Sequence, residues 1–269
     1  MMNITERNFY RLLRSGAFGT DEQIEALSAW KWNRLYQLAE MHDVAPILYK
    51  GIERCRQQFL VQVPDDLLQL WSQAKAHDAD DDNDLLQADR LTNPVLNHKL
   101  QVILDAEDSN TETRTALLHL SGIARFIMNA GIPVKRITLL GVFLRQSGHR
   151  IDFTTLQQWI SVLKLQPMSQ LAAVMLVKLL HFDAAELPFM TPMTDEKMAM
   201  LITDMFRQKN SHAEEWYFSQ GKDIFVHTSN PSAMLWHVRR SAKYFRYYPT
   251  ETFTNFFTSF AHSLSHIEE

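Results

Sequence analysis

The run LAAVMLVKLL, Leu171 to Leu180, is apolar on nearly every side and is broken only by Lys178. A helix that is hydrophobic all round has no face to offer water, so other helices must enclose it. A chain built on such an element therefore needs several amphipathic helices. The neighbouring sequence supplies them: GIPVKRITLLGVFLRQSGHRID and the amphipathic FTTLQQWISVLKL lead in, and HFDAAELPF follows. The block from Gly131 to Phe189 thus organises the whole.

Helix signals recur elsewhere. Asn3 with Glu6, Thr20 with Gln23, Thr154 with Gln157 and Ser211 with Glu214 all have the spacing of a capping box. Pro46, Pro64 and Pro231 suit a first helical turn, the last with Asn230 as its cap. Gly16 is expected to close a first helix that buries Phe9, Leu12 and Leu13. Trp32, Leu35 and Tyr36 form another stripe, and Leu48, Ile52 and Cys55 the next. On such a face Cys55 reads as a small buried hydrophobe, not a nucleophile.

From Leu85 to Leu104 the pattern stays helical through Leu91, Val95, Leu96, Leu100, Val102 and Ile103, with Pro94 expected to kink or split it. Polar Ala106 to Thr113 reads as a surface loop, after which Leu117, Leu120, Ile123, Ala124 and Ile127 resume a helix. A last stripe runs through Phe253, Phe256, Phe257, Phe260 and Leu264. No alternating strand and no repeat is found, and 8 glycines are few for a loop-rich β fold. The expected fold is all-α: a multi-helix bundle of two packed lobes, 1–105 and 112–269, around a central buried helix, with a single domain as the alternative.

The 269 residues carry a net charge of −4, so no whole-chain field favours nucleic acid or anionic lipid. One cysteine excludes an internal disulfide framework and a cysteine-built zinc site. The N-terminal stretch MMNITERNFYRLLRSG has no apolar signal region, and no apolar run approaches the ~18–20 residues that span a bilayer. A cytoplasmic protein with no membrane partner is expected.

Four features bear on chemistry. The acidic run His77 to Asp84 puts Asp78, Asp80 and Asp82 at alternate positions of a calcium loop, but Asn83 replaces the turn glycine and Asp89 the bidentate glutamate. A solvated loop or helix start explains it as well. In HVRRSAKYFRYYP, Arg239, Lys243 and Arg246 share one helical face, interleaved with Tyr244, Tyr247 and Tyr248. That composition suits phosphate, nucleic acid or an acidic protein, or simply a solvated face over packed tyrosines. Arg239, Lys243, Arg246 and Tyr247 are the candidate binding residues. Among 11 histidines no His-Glu-x-x-His occurs, and His149 beside Arg150 and Asp152 is the most suggestive grouping. No glycine-rich phosphate loop and no nucleophile elbow is present. No catalytic residue, metal ligand or cofactor is expected.

LLRSGAFG, then WNRLYQLAEMHDVAPILYKGI from Trp32 to Ile52, resembles the opening of the uncharacterised bacterial nucleotidyltransferase-like family, within the polymerase-β-type superfamily. RLTNPVLNHKLQVIL, Arg90 to Leu104, resembles the helix before that family's catalytic sheet. ARFIMNAGIPVKRITLLGVFLRQSGHRIDFTTLQQWISVLKLQP and the run to ELPF resemble its helical C-terminal half. The resemblance spans most of residues 8 to 189. In such enzymes a strand with two alternate aspartates follows and holds two divalent metals against a nucleotide triphosphate. Here LQVILD passes within about ten residues to ALLHL, too short a distance for strands and a helix. Asp78-Ala79-Asp80 has the carboxylate spacing without a strand around it, and Ile137 to Phe143, ITLLGVF, stands where the family tends to be polar and acidic.

The resemblance therefore implies descent from a nucleotidyltransferase without its metal carboxylates. The expected function is a non-enzymatic binding or scaffold protein with a protein partner, an intact homologue among the candidates, and not nucleic acid. The alternatives are a nucleotide- or nucleic-acid-binding protein using the helix around Arg239 to Arg246, or a residual nucleotidyltransferase.

Overall fold

The computed structural model describes residues 2–59, 61–74, 91–106, 110–130 and 134–192, together with Thr194, Glu196, Lys197 and Met200. Among these described residues lie nine α-helices and no strand, with 75% of them helical. In chain order they are α1 (Ile4–Phe18), α2 (Ala29–Met41), α3 (Ala45–Cys55), α4 (Asp65–Ala74), α5 (Pro94–Asp105), α6 (Thr111–Ala130), α7 (Val134–Ser147), α8 (Phe153–Val162) and α9 (Gln166–Leu180). The fold is all-α.

α1 starts as its sequence predicts: Asn3 Oδ1 accepts from the Glu6 N–H and Glu6 Oε2 from the Asn3 N–H, both at 3.0 Å. It does not stop at Gly16. The helix runs to Phe18 and closes at Gly19, whose φ of 69° is the left-handed conformation that glycine adopts freely. Gly16 instead lets α3 approach. A Cβ placed there would stand 1.9 Å from the Ile47 carbonyl oxygen, and one on Gly51 would stand 2.1 Å from that of Leu12.

Other sequence-predicted boundaries also move. No helix follows Thr20 and Gln23; residues 19–28 are irregular, and the Thr20 hydroxyl bonds to Glu22. The cap of α8 is Asp152, not Thr154. Pro94 opens α5 behind Asn93, whose Oδ1 accepts from the N–H groups of Val95 and Leu96. The loop before α6 ends at Asn110, which caps it through the N–H groups of Glu112 and Thr113, so the helix begins inside the stretch read as loop. On α5, Leu96 and Leu100 are buried while Val95 and Val102, expected on the apolar pattern, are 64% and 57% exposed.

The chain forms two compact units. One gathers the residues within 1–88, 133–149 and 176–182, the other those within 89–132, 150–175 and 183–269. Each is drawn from three separate stretches, whereas the sequence-based division was one cut between 105 and 112. The first unit buries Leu12, Leu13, Trp32, Leu35, Leu48 and Trp71 completely, with Tyr36 edge-on to Trp71 at 4.9 Å. The second buries Leu100, Leu117, Leu120, Ile123 and Leu156. Each such side chain contributes about 1.5–3 kcal/mol by leaving water. Along Leu171 to Leu180 only Val177 and Lys178 escape full burial, which is the enclosure that the all-apolar run demands. Among the described residues no helix is long and apolar enough to cross a membrane.

With few glycines, three of the described helices end on other residues in the left-handed conformation: Asp43 after α2, Lys164 after α8 and His181 (φ 56°) after α9. α2 and α8 close in Schellman turns with Asp43 (φ 52°) and Lys164 (φ 56°) in the left-handed position, and the N–H groups of Val44 and Leu165 return to the Ala39 and Ile160 carbonyls. Asp43 is held by an ion pair to buried Lys135 at 2.9 Å, whereas Lys164 is exposed. Lys164→Gly should therefore stabilise the protein by about 0.5 kcal/mol, since relief of ~1–2 kcal/mol of left-handed strain exceeds the ~0.4–1 kcal/mol lost to a freer unfolded chain. Urea denaturation midpoints of the two proteins check this.

Candidate functional site

The candidate binding residues Arg239, Lys243, Arg246 and Tyr247 lie outside the described residues, as do the Phe253 to Phe260 stripe, Ser211, Glu214, Asn230, Pro231 and the acidic run at Asp78 to Asp89.

His149, Arg150 and Asp152 are described, and they do not form a ligand set. Asp152 Oδ1 accepts from the N–H groups of Thr154 and Thr155, and Oδ2 from the Thr155 hydroxyl at 2.6 Å. The Thr155 hydroxyl and these N–H groups hold its carboxyl below the usual range. Arg150 pairs with Glu112 at 2.9 Å, and its carbonyl accepts from the Asn110 side chain. The grouping is a helix cap joined to the start of α6. Cys55 is buried with its sulfur 3.6 Å from the Ser15 hydroxyl, the packed thiol expected of it.

A site that the motif search passed over stands on α1. Arg7, Arg11 and Arg14 recur at four- and three-residue steps, so they line one face of the helix. Together with Met2, Tyr10, Lys178, Leu179 and His181 they enclose a groove of about 510 Å³, within the first unit. The end of α9 supplies Lys178 and Leu179, with His181 just beyond it.

Two carboxylates from the irregular stretch between α1 and α2 organise these arginines. Arg7 forks onto Glu25 through Nε and Nη2 at 2.9 and 2.8 Å, and its Nη1 donates to the Met2 carbonyl. Arg11 reaches Glu25 through Nη1 alone, at 2.7 Å. Arg14 forks onto Glu22 at 2.7 and 2.8 Å and caps the Leu179 carbonyl at the end of α9 with Nη1. The stretch is fixed in turn by the Asn8 side chain, which exchanges two hydrogen bonds with the Glu25 backbone, and by Gln58, which does the same with Ile24 and Glu22.

The charges respond. The hydrogen bonds from Arg7, aided by its charge and by Arg11, hold the Glu25 carboxyl down to about 2 from its ordinary 4.5. Burial pushes Glu22 up, but the Arg14 bonds and charge more than offset it and leave the carboxyl low. Burial, Arg14 and Arg145 lower the His181 imidazole against the opposing pull of Glu22. Burial raises the Tyr10 phenol, which stays neutral. The groove is thus cationic, with a neutral histidine at its edge.

A pH dependence follows. His181, depressed when folded, contributes stability that is complete above the unfolded histidine value near 6.5 and declines as pH falls through it. Glu22 and Glu25 contribute stability present above about 4.5 and lost as the pH falls towards their folded values, about 2 for Glu25. The urea midpoint should be level above pH 7, fall gently towards pH 5 and steeply below pH 4.5 (thresholds about half a unit wide). A midpoint that stays level down to pH 3 would contradict the carboxylate assignments.

No protein-family model, no curated protein and no solved structure matches this chain. The functional reading therefore rests on its own residues. Among the described residues no group of three or more His, Cys, Asp or Glu side chains is arranged to hold a metal ion.

Proposed function

We propose that this protein is a catalytically degenerate relative of the nucleotidyltransferases that works as a non-enzymatic binding or scaffold protein. One observation carries the reading. α5 ends at Asp105 and α6 begins at Thr111, so five residues join the two helices where the resemblance calls for the catalytic strands. A strand rises about 3.3 Å per residue and a pair needs a turn, so five residues hold no such hairpin. The two alternate carboxylates that would face magnesium and triphosphate have no place at this point of the chain.

The partner proposed is another protein, with an intact homologue the first to try, and the face carrying Arg239, Lys243 and Arg246 is the proposed contact. The purified protein, given labelled nucleoside triphosphates with magnesium or manganese, should incorporate no label into itself or into added protein. Incorporation above a heat-treated control would overturn the reading. A partner co-purified from native lysate should be lost with Arg239→Glu and Lys243→Glu, and its retention would remove the basic face from the proposal. Nucleic acid is not the expected partner: the protein should flow through heparin at low salt.

A further inference from the structure

We propose that the groove beside α1 binds a small organic molecule by its carboxylate, on the edge of the Arg11 guanidinium. The inference goes beyond the scaffold reading and is independent of it, because a ligand here neither requires nor excludes a protein partner.

The three arginines of the groove differ in one respect. Arg7 and Arg14 each turn the same guanidinium edge, Nε with Nη2, onto a carboxylate: Glu25 at 2.9 and 2.8 Å, Glu22 at 2.7 and 2.8 Å. Arg11 lies between them on the helix face, and among the described residues it makes a single bond, from Nη1 to Glu25 Oε1 at 2.7 Å. A guanidinium has five N–H donors, so four of Arg11's have no acceptor among the described residues, those of Nε and Nη2 included. That edge matches the two oxygens of a carboxylate, the pairing that both neighbouring arginines already show.

Charge points the same way. Arg14 and Glu22 form a complete pair, whereas Arg7 and Arg11 share the one carboxylate of Glu25, whose Oε1 accepts from both. Those last three groups leave one positive charge over, and one carboxylate balances it. A phosphate monoester, at about −1.5 to −2, exceeds it. Lys178, which also lines the groove, has a partner of its own and supplies nothing to this count. The Arg11 side chain is 28% exposed, so salt screens a pair formed there less than one at an open surface.

Size decides what the carboxylate is attached to. A volume of about 510 Å³ falls within the range of small-ligand sites and exceeds what a bare carboxylate fills. Met2, Tyr10 and Leu179 give the remainder an apolar lining, which suits a small hydrophobic body.

Calorimetric titration of the full chain at low ionic strength with benzoate, acetate, benzamide and phenyl phosphate tests this. Benzoate should bind, acetate more weakly for want of the ring, and uncharged benzamide weakest; phenyl phosphate should not exceed benzoate. Arg11→Gln should weaken benzoate at least about tenfold, the loss of charge-assisted hydrogen bonds, with its urea midpoint little changed because Arg7 keeps its fork on Glu25. Arg11→Lys keeps the charge without the planar edge and should also weaken binding. Acetate binding as tightly as benzoate would overturn the organic body while supporting the carboxylate subsite. Phenyl phosphate binding more tightly than benzoate, or wild-type affinity in Arg11→Lys, would overturn the carboxylate fork. No benzoate binding at millimolar concentration, equal binding of benzamide, or full affinity in Arg11→Gln would overturn the proposal.

Discussion

Gly51→Ala is expected to abolish the native packing of α1 on α3. The added methyl would stand 2.1 Å from the Leu12 carbonyl oxygen and the same atom on Gly16 would stand 1.9 Å from that of Ile47, both far inside van der Waals contact. These obstacles are backbone, not the ends of flexible side chains, so a whole helix must move. Overpacking ordinarily costs about 1–3 kcal/mol, and a displaced helix takes the cost to the top of that range or beyond. Alanine's better helix propensity returns only about 1 kcal/mol. A loss of that size is a large part of the 5–15 kcal/mol that holds a typical domain folded. Urea denaturation should show a sharply lower midpoint or no cooperative transition for Gly51→Ala and for Gly16→Ala. Gly148→Ala is the control: nothing lies within 4 Å of its would-be methyl, and its φ is not positive, so it should be neutral or stabilising by up to about 1 kcal/mol. Gly141→Ala should fall between, since its methyl would meet only the tips of Leu176, Phe182 and Phe18 at 3.0 to 3.2 Å. Equal stability of Gly51→Ala and Gly148→Ala would show that the two helices do not meet at these glycines.

Those glycines also mark where the sequence stops being readable. The apolar stripes at Phe9, Leu12 and Leu13, at Leu48, Ile52 and Cys55, and from Leu117 to Ile127 are buried as their helical period requires, because a stripe is a property of one helix alone. Gly16 is different. A glycine just past an amphipathic stripe reads as a terminator, and only the arrival of α3 at that point gives it another purpose; the true stop lies three residues on, at Gly19. Capping-box spacing misleads for a related reason. Thr20 and Gln23 have it without an apolar stripe behind them, and Thr154 loses the role to Asp152, the stronger cap. The groove was half written. Arg7, Arg11 and Arg14 stand in plain sequence at helical spacing, but Glu25 lies 18 and 14 residues beyond the first two, and Lys178 and His181 come from the far end of another helix. Such pairings belong to tertiary structure, which a local period does not encode.

Glu22→Ala is the second large effect expected. The Arg14 side chain is 7% exposed and that of Glu22 14%, so the pair sits almost out of water. Two charges taken into such a place are stable only together: each offsets part of the other's desolvation, and the fork at 2.7 and 2.8 Å satisfies the carboxylate. Removing Glu22 leaves a guanidinium that cannot shed its charge, because arginine stays protonated at any pH the fold survives. Its Nη1 keeps the Leu179 carbonyl, but Nε and Nη2 lose their acceptor. Breaking one partner of a buried pair typically costs about 3–5 kcal/mol, and the same range applies to Glu22→Ala at neutral pH. Arg14→Met should be of similar size, since it strands the Glu22 carboxylate and the Leu179 carbonyl together. The double variant Arg14→Met with Glu22→Leu separates charge from packing. With neither ion left to desolvate it should be far less harmful than the sum of the single losses, and even close to wild type if the side chains fill the space. Its urea midpoint should also lose part of the acid sensitivity of the wild type, because Glu22 no longer titrates. Additive losses in the double variant would mean that the two residues act through separate contacts and that the ion pair is incidental to the fold.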